Sequence, residues 1–262
     1  MLPLWQAGAD DISVLPTIID EFGAGHNDDC GPNSNENLVA YLRGERPTYA
    51  GMDAIRDRDI QAGRFVPGGG QGVSDIAWDV RTYEPDLSVS VSPYIQSGYS
   101  QSLLRSRLMD LSLLSAQGNT VGTIVNVDHA GLLPYNQAGV GGHYIAVLGY
   151  DPASDRVLVG NGDIERSIRT AGRPPDWISV SALAGAQVKG LVNVWRAGWP
   201  DGTTWATIKA DGTTSTGSSW LSGSRVAKLV VGVFLIGAAA YLVFTGARGA
   251  AIGAAVKGLT NG

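Results

Sequence analysis

The chain has a single cysteine, Cys30, so no internal disulfide can form and no covalent cross-link stabilises the fold. Histidine is almost as scarce, because His26, His129 and His143 are the only three in 262 residues. None of these residues belongs to a closely spaced pair of the kind that zinc sites display. We therefore expect neither a metal site nor a cofactor.

Charged residues are also few, at 16% of the chain, and the formal net charge is −5. This charge argues against a nucleic-acid partner, because neutralising phosphates requires clustered Lys and Arg. Hydrophobic residues make up 44%, which excludes a disordered chain. The first residues, MLPLWQAGADD, have neither a positive region nor a long apolar run, so we expect no signal peptide.

A long apolar run occurs near the end of the chain. It begins at Leu229 and ends at Ala247 without a charge, and Lys228 and Arg248 flank it. Because about 20 apolar residues span a bilayer as a helix, the run predicts a transmembrane helix within residues 225–262. The alternative is a buried core helix. A Ser/Thr/Gly-rich stretch, residues 201–224, precedes it and is typical of a flexible linker.

Residues 1–200 have the pattern of one domain that mixes helices and strands. Apolar periodicity predicts two helices, at residues 31–43 and 100–117, which end near Gly44 and Gly118. Short apolar runs predict strands at residues 121–127, 144–150, 156–159 and 188–195. The turn sequence at residues 151–155 joins the second and third of these strands into a hairpin.

The sequence Asp28-Asp29-Cys30-Gly31-Pro32 places the thiol at the start of the first predicted helix. The positive end of the helix dipole favours the thiolate, which is the nucleophilic form. A neighbouring imidazolium would stabilise that form further. Cys30 is therefore a candidate nucleophile, although a lone cysteine is also a common buried small hydrophobe.

A candidate base stands at the start of a predicted strand, in Gly141-Gly142-His143-Tyr144. On the other side of the predicted hairpin the chain reads Gly160-Asn161-Gly162-Asp163. If Ala153 is the middle of the turn, Asn161 and Asp163 both fall near His143. Either side chain could orient the imidazole, as the third member of a catalytic triad does.

These motifs together resemble the papain-like cysteine peptidases that remove double-glycine leaders from bacteriocins, a type also found as a domain in phage lysins. The resemblance is carried by DCGP at a helix start, by GHY opening a strand with GYD after it, and by an Asn or Asp that ends the next strand. It implies an α+β fold in which an N-terminal helix packs on an antiparallel sheet. It also implies that Cys30 is the nucleophile, His143 the general base and acid, and Asn161 the orienting residue, with Asp163 as the reserve candidate.

The sequence departs from this family at one position. The family places a Gln roughly six residues before the nucleophile to bind the developing oxyanion, and here that position is Ala24. Loss of one oxyanion donor raises a hydrolase barrier by about 2.7–4 kcal/mol. His26 and Asn27 are candidate substitutes, and Asp20 could serve only if it were protonated.

The glycine-rich stretch Pro67-Gly68-Gly69-Gly70-Gln71-Gly72 lacks the GK[ST] ending of a phosphate-binding loop. We interpret it as a mobile loop on the substrate side.

The expected activity is hydrolysis of amide bonds through an acyl-enzyme on Cys30. The apolar tail favours a membrane-associated protein of a cell envelope or a phage virion, so we expect peptidoglycan as the substrate, as in a phage lysin. One alternative is a peptidase that processes leader peptides. Another is a virion structural or membrane-penetrating protein that keeps a peptidase fold. The expected partners are a peptide or peptidoglycan substrate, a membrane and other virion or envelope proteins.

Overall fold

The computed structural model describes residues 17–20, 28–128, 142–161, 175–197, 206–208 and 214–216. The chain divides into two compact units, Met1–Ser219 and Trp220–Gly262, and the described residues all belong to the first. Their helices are α1 (Cys30–Arg43), α2 (Tyr49–Gln61), α3 (Val73–Tyr83), α4 (Gln101–Ala116) and α5 (Val180–Gly185). Their strands are β1 (Phe65–Val66), β2 (Gly70–Gln71), β3 (Ser88–Val91), β4 (Asn119–Val127), β5 (His143–Asp151), β6 (Arg156–Gly160), β7 (Asp176–Ser179), β8 (Val188–Ala197), β9 (Ala206–Ile208) and β10 (Thr214–Thr216).

Six strands form one antiparallel sheet in the order β3-β8-β4-β5-β6-β7. Two short hairpins, β1-β2 and β9-β10, form separate two-stranded ladders. This arrangement of helices and an antiparallel sheet confirms the predicted α+β class. Strands β4 and β5 are central, so their side chains are buried on both faces of the sheet.

Helices cover both faces of the sheet, and β5 shows how its residues divide between them. Tyr144, Ala146 and Leu148 join the hydrophobic core that includes residues of α1 and α3. Ile145 and Val147 join the core on the opposite face, which includes residues of α4 and α5. The alternation follows from the period of two along a strand. The helix that carries Cys30 therefore packs on one face of the strand that begins with His143.

The helices and strands predicted from the sequence are confirmed, with bounds that differ by only a few residues. Gly44 ends α1 in the left-handed conformation, with φ 71°, which glycine adopts without the strain of a Cβ. Ser100 caps α4, because its side chain accepts a hydrogen bond from the Leu103 N–H. The turn after Asp151 joins β5 and β6 into the predicted hairpin.

Helix α1 is enclosed by the protein, and Glu36 is its sole residue between Gly31 and Leu42 that is not buried. Two of its buried asparagines bond to neighbouring segments. Asn37 accepts a hydrogen bond from the Ile19 N–H at 2.9 Å, and Asn35 donates to Asp79 of α3 at 2.7 Å. These bonds meet the requirement that buried polar groups find partners, and they fix α1 against its surroundings.

Among the described residues, no helix has both the length and the apolar character needed to cross a bilayer. The apolar run that begins at Leu229 lies outside the described residues, as does most of the predicted linker at residues 201–224.

The contact between α1 and the sheet depends on Gly122 in β4. A Cβ at Gly122 would stand 2.3 Å from Leu38 Cδ1 and 3.1 Å from the Val147 carbonyl oxygen. Gly122→Ala must therefore displace the buried Leu38 side chain of α1, and we expect a loss of about 1–3 kcal/mol in the free energy of unfolding, the usual range for overpacking. Urea denaturation measures this loss.

Gly185→Ala in α5 is the matched control, because a Cβ there would meet nothing within 4 Å. We expect the control to leave the free energy of unfolding unchanged or slightly higher. Equal stability of the two variants would contradict the close approach of α1 to β4.

Candidate active site

Cys30 is the first residue of α1 and is partly exposed. Asp29 is the N-cap, with φ −88° and ψ 18°, and its side chain makes no capping hydrogen bond. The backbone N–H groups of the first turn therefore point out of the helix end, together with the positive end of its dipole. This is an environment that favours a thiolate at Cys30.

The two aspartates before Cys30 are both held by other elements. Asp29 has a fully buried side chain and forms an ion pair with Arg56 of α2, with Nε 2.8 Å from Oδ1. The Arg56 guanidinium also lies 5.4 Å from the centre of the Phe65 ring. The Asp28 carboxylate accepts a hydrogen bond from the Gly68 N–H in the β1-β2 turn. The Arg56 charge thus offsets the carboxylate beside the thiol.

His143 and Asn161 are in contact. His143 Nε2 lies 2.9 Å from Asn161 Oδ1, and both residues are buried. Because an amide oxygen can only accept, this bond makes Nε2 the protonated ring nitrogen. Nδ1 is then the nitrogen that can take a proton from a thiol. The ring is fixed in orientation as well as in tautomer.

Strand pairing explains how Asn161 reaches this position. Gly160 pairs with Ala146, so continuing the register places Asn161 opposite Ile145, two residues from His143. Diagonal neighbours of this kind on one face of an antiparallel pair are within reach of long side chains. The contact therefore depends on the pairing of β5 with β6 and not on a loop.

The thiol and the imidazole are carried by elements that touch, since α1 packs against β5. Tyr144, the residue after His143, belongs to the hydrophobic core against which Cys30 packs. Burial raises the pKa of the Tyr144 hydroxyl above its ordinary value, and the nearby Cys30, Asp75 and Tyr94 raise it further when they are ionised. This hydroxyl donates to the Gln71 carbonyl oxygen at 2.9 Å. Tyr144 is thus a neutral hydrogen-bond donor at the start of β5, close enough to Cys30 to interact with it electrostatically.

Sequence reasoning missed two residues beside the candidate nucleophile, Arg56 and Gln71. Arg56 belongs to α2, a helix with weak amphipathic character. A basic residue in such a sequence is typical of a solvent-exposed position. Gln71 lies in the glycine-rich stretch that we interpreted as a mobile loop. In the structure this stretch contains the turn and second strand of the β1-β2 hairpin, held by Asp28 and Tyr144.

Other residues expected at the site lie outside the described residues: His26, Asn27 and Asp163. Asp20 is described, is buried, and accepts a hydrogen bond from the Tyr49 hydroxyl at 3.0 Å. Within the described ranges, no group of three or more His, Cys, Asp or Glu is arranged to hold a metal ion.

Comparison with known proteins finds similarity at the level of structure. No protein-family model matches the chain, and no curated protein matches it. A solved structure to which the chain is similar is a double-glycine-motif protease from an AMS/PCAT transporter in complex with the leader peptide. The similarity has 12% sequence identity and a TM-score of 0.39, and it covers 71% of this chain and 93% of that one.

Proposed function

We propose that this protein is a cysteine peptidase with a papain-like domain, in which Cys30 is the nucleophile, His143 the general base and acid, and Asn161 the orienting residue. The observation that supports this most is the 2.9 Å hydrogen bond from His143 Nε2 to Asn161 Oδ1. It orients a histidine on the strand against which the helix of Cys30 packs.

The proposed reaction has two stages. The Cys30 thiolate attacks the carbonyl carbon of an amide, and collapse of the tetrahedral intermediate breaks the C–N bond. The His143 imidazolium gives its proton to the leaving amine, which leaves a thioester on Cys30. His143 then takes a proton from water, the resulting hydroxide attacks the thioester, and the C–S bond breaks. The carboxylic acid product leaves and loses its proton to solvent, and Cys30 and His143 return to the thiolate–imidazolium pair.

The oxyanion of the tetrahedral intermediate also needs donors. The first-turn backbone N–H groups of α1 have no acceptor within the helix. They lie at the same helix end as Cys30, where the dipole favours negative charge. We propose that these groups supply part of the oxyanion stabilisation, and that His26 or Asn27 supplies a side-chain donor in place of the glutamine that is missing at Ala24.

Two substrates follow from the sequence, and the choice between them is part of the test. One is a leader peptide with a double-glycine motif, the kind of ligand named for the similar structure. The other is peptidoglycan, cleaved in its cross-links or stem peptides. Offering both to the full chain, with mass spectrometry of the products, identifies the bond that is broken.

Cys30→Ser should abolish hydrolysis of whichever substrate is cleaved while leaving the fold intact. The exchange changes the side-chain volume little but removes a readily ionised nucleophile. The measurement is turnover by mass spectrometry, with far-UV circular dichroism as the control for folding. Wild-type turnover in the serine variant would rule out the mechanism. Wild-type protein that cleaves neither substrate would favour a virion protein that keeps only the fold.

Asn161→Ala should lower kcat by about tenfold to a hundredfold, less than the full contribution of general acid–base catalysis. The ring of His143 loses its orienting bond, but a thiol still ionises more readily than a hydroxyl. Asp163→Ala should cost less, because Asn161 makes the observed contact. Asn193→Ala is a control, since Asn193 bonds to Ser90 and Ser92 on the edge strand pair. A silent Asn161→Ala beside a damaging Asp163→Ala would assign the third role to Asp163.

We also propose that the apolar run from Leu229 to Ala247 anchors the protein in a cell-envelope membrane or serves a virion in membrane contact. The support is the length of the run and the absence of charge within it. Carbonate extraction of membranes from cells that express the full chain should leave the protein in the pellet. A chain that ends at residue 224 should be extracted, and full extraction of both would contradict the anchor.

A further inference from the structure

Gln71, at the end of β2, contacts the neighbours of both proposed catalytic residues. Its backbone carbonyl oxygen accepts the hydrogen bond from the Tyr144 hydroxyl at 2.9 Å, and Tyr144 follows His143. Its side chain lies over Gly31, which follows Cys30. A Cβ on Gly31 would stand 2.5 Å from Gln71 Oε1. The lack of a side chain at Gly31 is therefore what lets the amide rest against the start of α1.

The amide is held there from the other side by a buried carboxyl. Gln71 Nε2 donates to Asp59 Oδ2 at 2.5 Å, and Asp59 is fully buried. The Asp79 carboxyl lies close enough to Asp59 for the two groups to interact electrostatically. Burial, and after it the charge of Asp79, raise the pKa of Asp59 to about 7. Asp79 is paired with Arg58, with Nε 2.6 Å from Oδ1. Gln71 is thus the last member of a fixed polar network.

This network also reaches α1 itself, since Asn35 donates to Asp79 at 2.7 Å. The turn of the same hairpin is attached to Asp28, two residues before the thiol, through the Gly68 N–H. The β1-β2 hairpin therefore contacts the chain before Cys30, at Asp28, and after it, at Gly31. Among the described residues, Gln71 Oε1 has no hydrogen-bond donor, so on the Gly31 side the amide acts by contact alone.

We propose that Gln71 is a positioning residue that sets the distance between Cys30 and His143 by contacting Gly31 on one side and Tyr144 on the other. In this role Gln71 acts through these two neighbours. This inference rests on the proposed function, because it assigns a role relative to the same two residues. The distance between Cys30 and His143 matters because a thiolate–imidazolium pair forms only when both partners are held at ion-pair distance.

The test is the rate of iodoacetamide alkylation as a function of pH, on the full chain. Cys30 is the only cysteine, so the rate reports this thiol alone and needs no substrate. Gln71→Met keeps the side-chain length and removes the bond to Asp59. Gly31→Ala keeps glutamine at position 71, but the added methyl group displaces the Gln71 amide from the start of α1. We expect each variant to raise the midpoint of the alkylation profile by about one pH unit, so that the rate below the midpoint falls about tenfold.

Gln101→Met is the matched control, because Gln101 also donates to an aspartate, Asp155 at 3.3 Å, but from α4. It should keep the wild-type midpoint. If both site variants fold, by urea denaturation, and keep the wild-type midpoint, the positioning role is wrong and Gln71 is only structural. If the wild-type midpoint lies near 8.5, that of an ordinary thiol, and His143→Ala does not change it, the proposed function itself fails. A low, His143-dependent midpoint that is unaffected by Gln71→Met overturns the inference on Gln71 alone.

Discussion

The enclosure of α1 is the constraint on which the candidate site depends. A helix that is buried around almost its whole circumference cannot slide or rotate without breaking contacts on several sides at once. Leu38 occupies the space above Gly122, Asn37 is bonded to the backbone of Ile19, and Asn35 is bonded to Asp79. An orphaned buried polar group costs about 1–3 kcal/mol, so these bonds set the axial position of the helix. The position of Cys30 at its first residue follows from that.

Electrostatics around the thiol depend on the same enclosure. Two carboxylates directly before Cys30 would oppose a thiolate if they were unpaired. Arg56 forms an ion pair with Asp29, whose side chain is fully buried, and the Gly68 N–H donates to Asp28. Breaking a buried pair such as Asp29–Arg56 costs about 3–5 kcal/mol, because it leaves a buried charge uncompensated. The motif Asp28-Asp29-Cys30 is thus compatible with a reactive thiol only in the presence of α2 and the β1-β2 hairpin.

Local signals predicted the parts of the site that depend on periodicity and turns. The glycine after α1, the apolar strands and the turn sequence after Asp151 each act within a few residues, so the pattern alone contains them. The pairing of β5 with β6 is a more instructive case. Asp151 pairs with Arg156, so the turn is centred between Ala153 and Ser154, not on Ala153 as predicted. An irregularity between Val147 and Gly149 then shifts the register. Beyond it Val147 pairs with Val159, which is the register that a turn centred on Ala153 would give.

Long-range polar contacts could not be predicted in the same way. Asp59 of α2 and Asp79 of α3 are buried, although an aspartate in a helical sequence is usually expected to face solvent. Their burial is possible because Arg58 pairs with Asp79 and Gln71 bonds to Asp59. Such partners are distant in sequence and leave no periodic signal. The role of Gln71 was missed for this reason, whereas the contact of His143 with Asn161 followed from strand register.

The proposed reaction requires that Cys30 becomes acylated, and trapping this intermediate is the decisive experiment. The full chain would be mixed with the p-nitrophenyl ester of an N-blocked glycine, quenched in acid after a short time, and mapped by peptide mass spectrometry. We expect a thioester on Cys30 in the wild-type protein and much slower formation of that adduct in His143→Ala. Hydrolysis of the ester without an adduct on Cys30, or adduct formation at the same rate in both proteins, would contradict it.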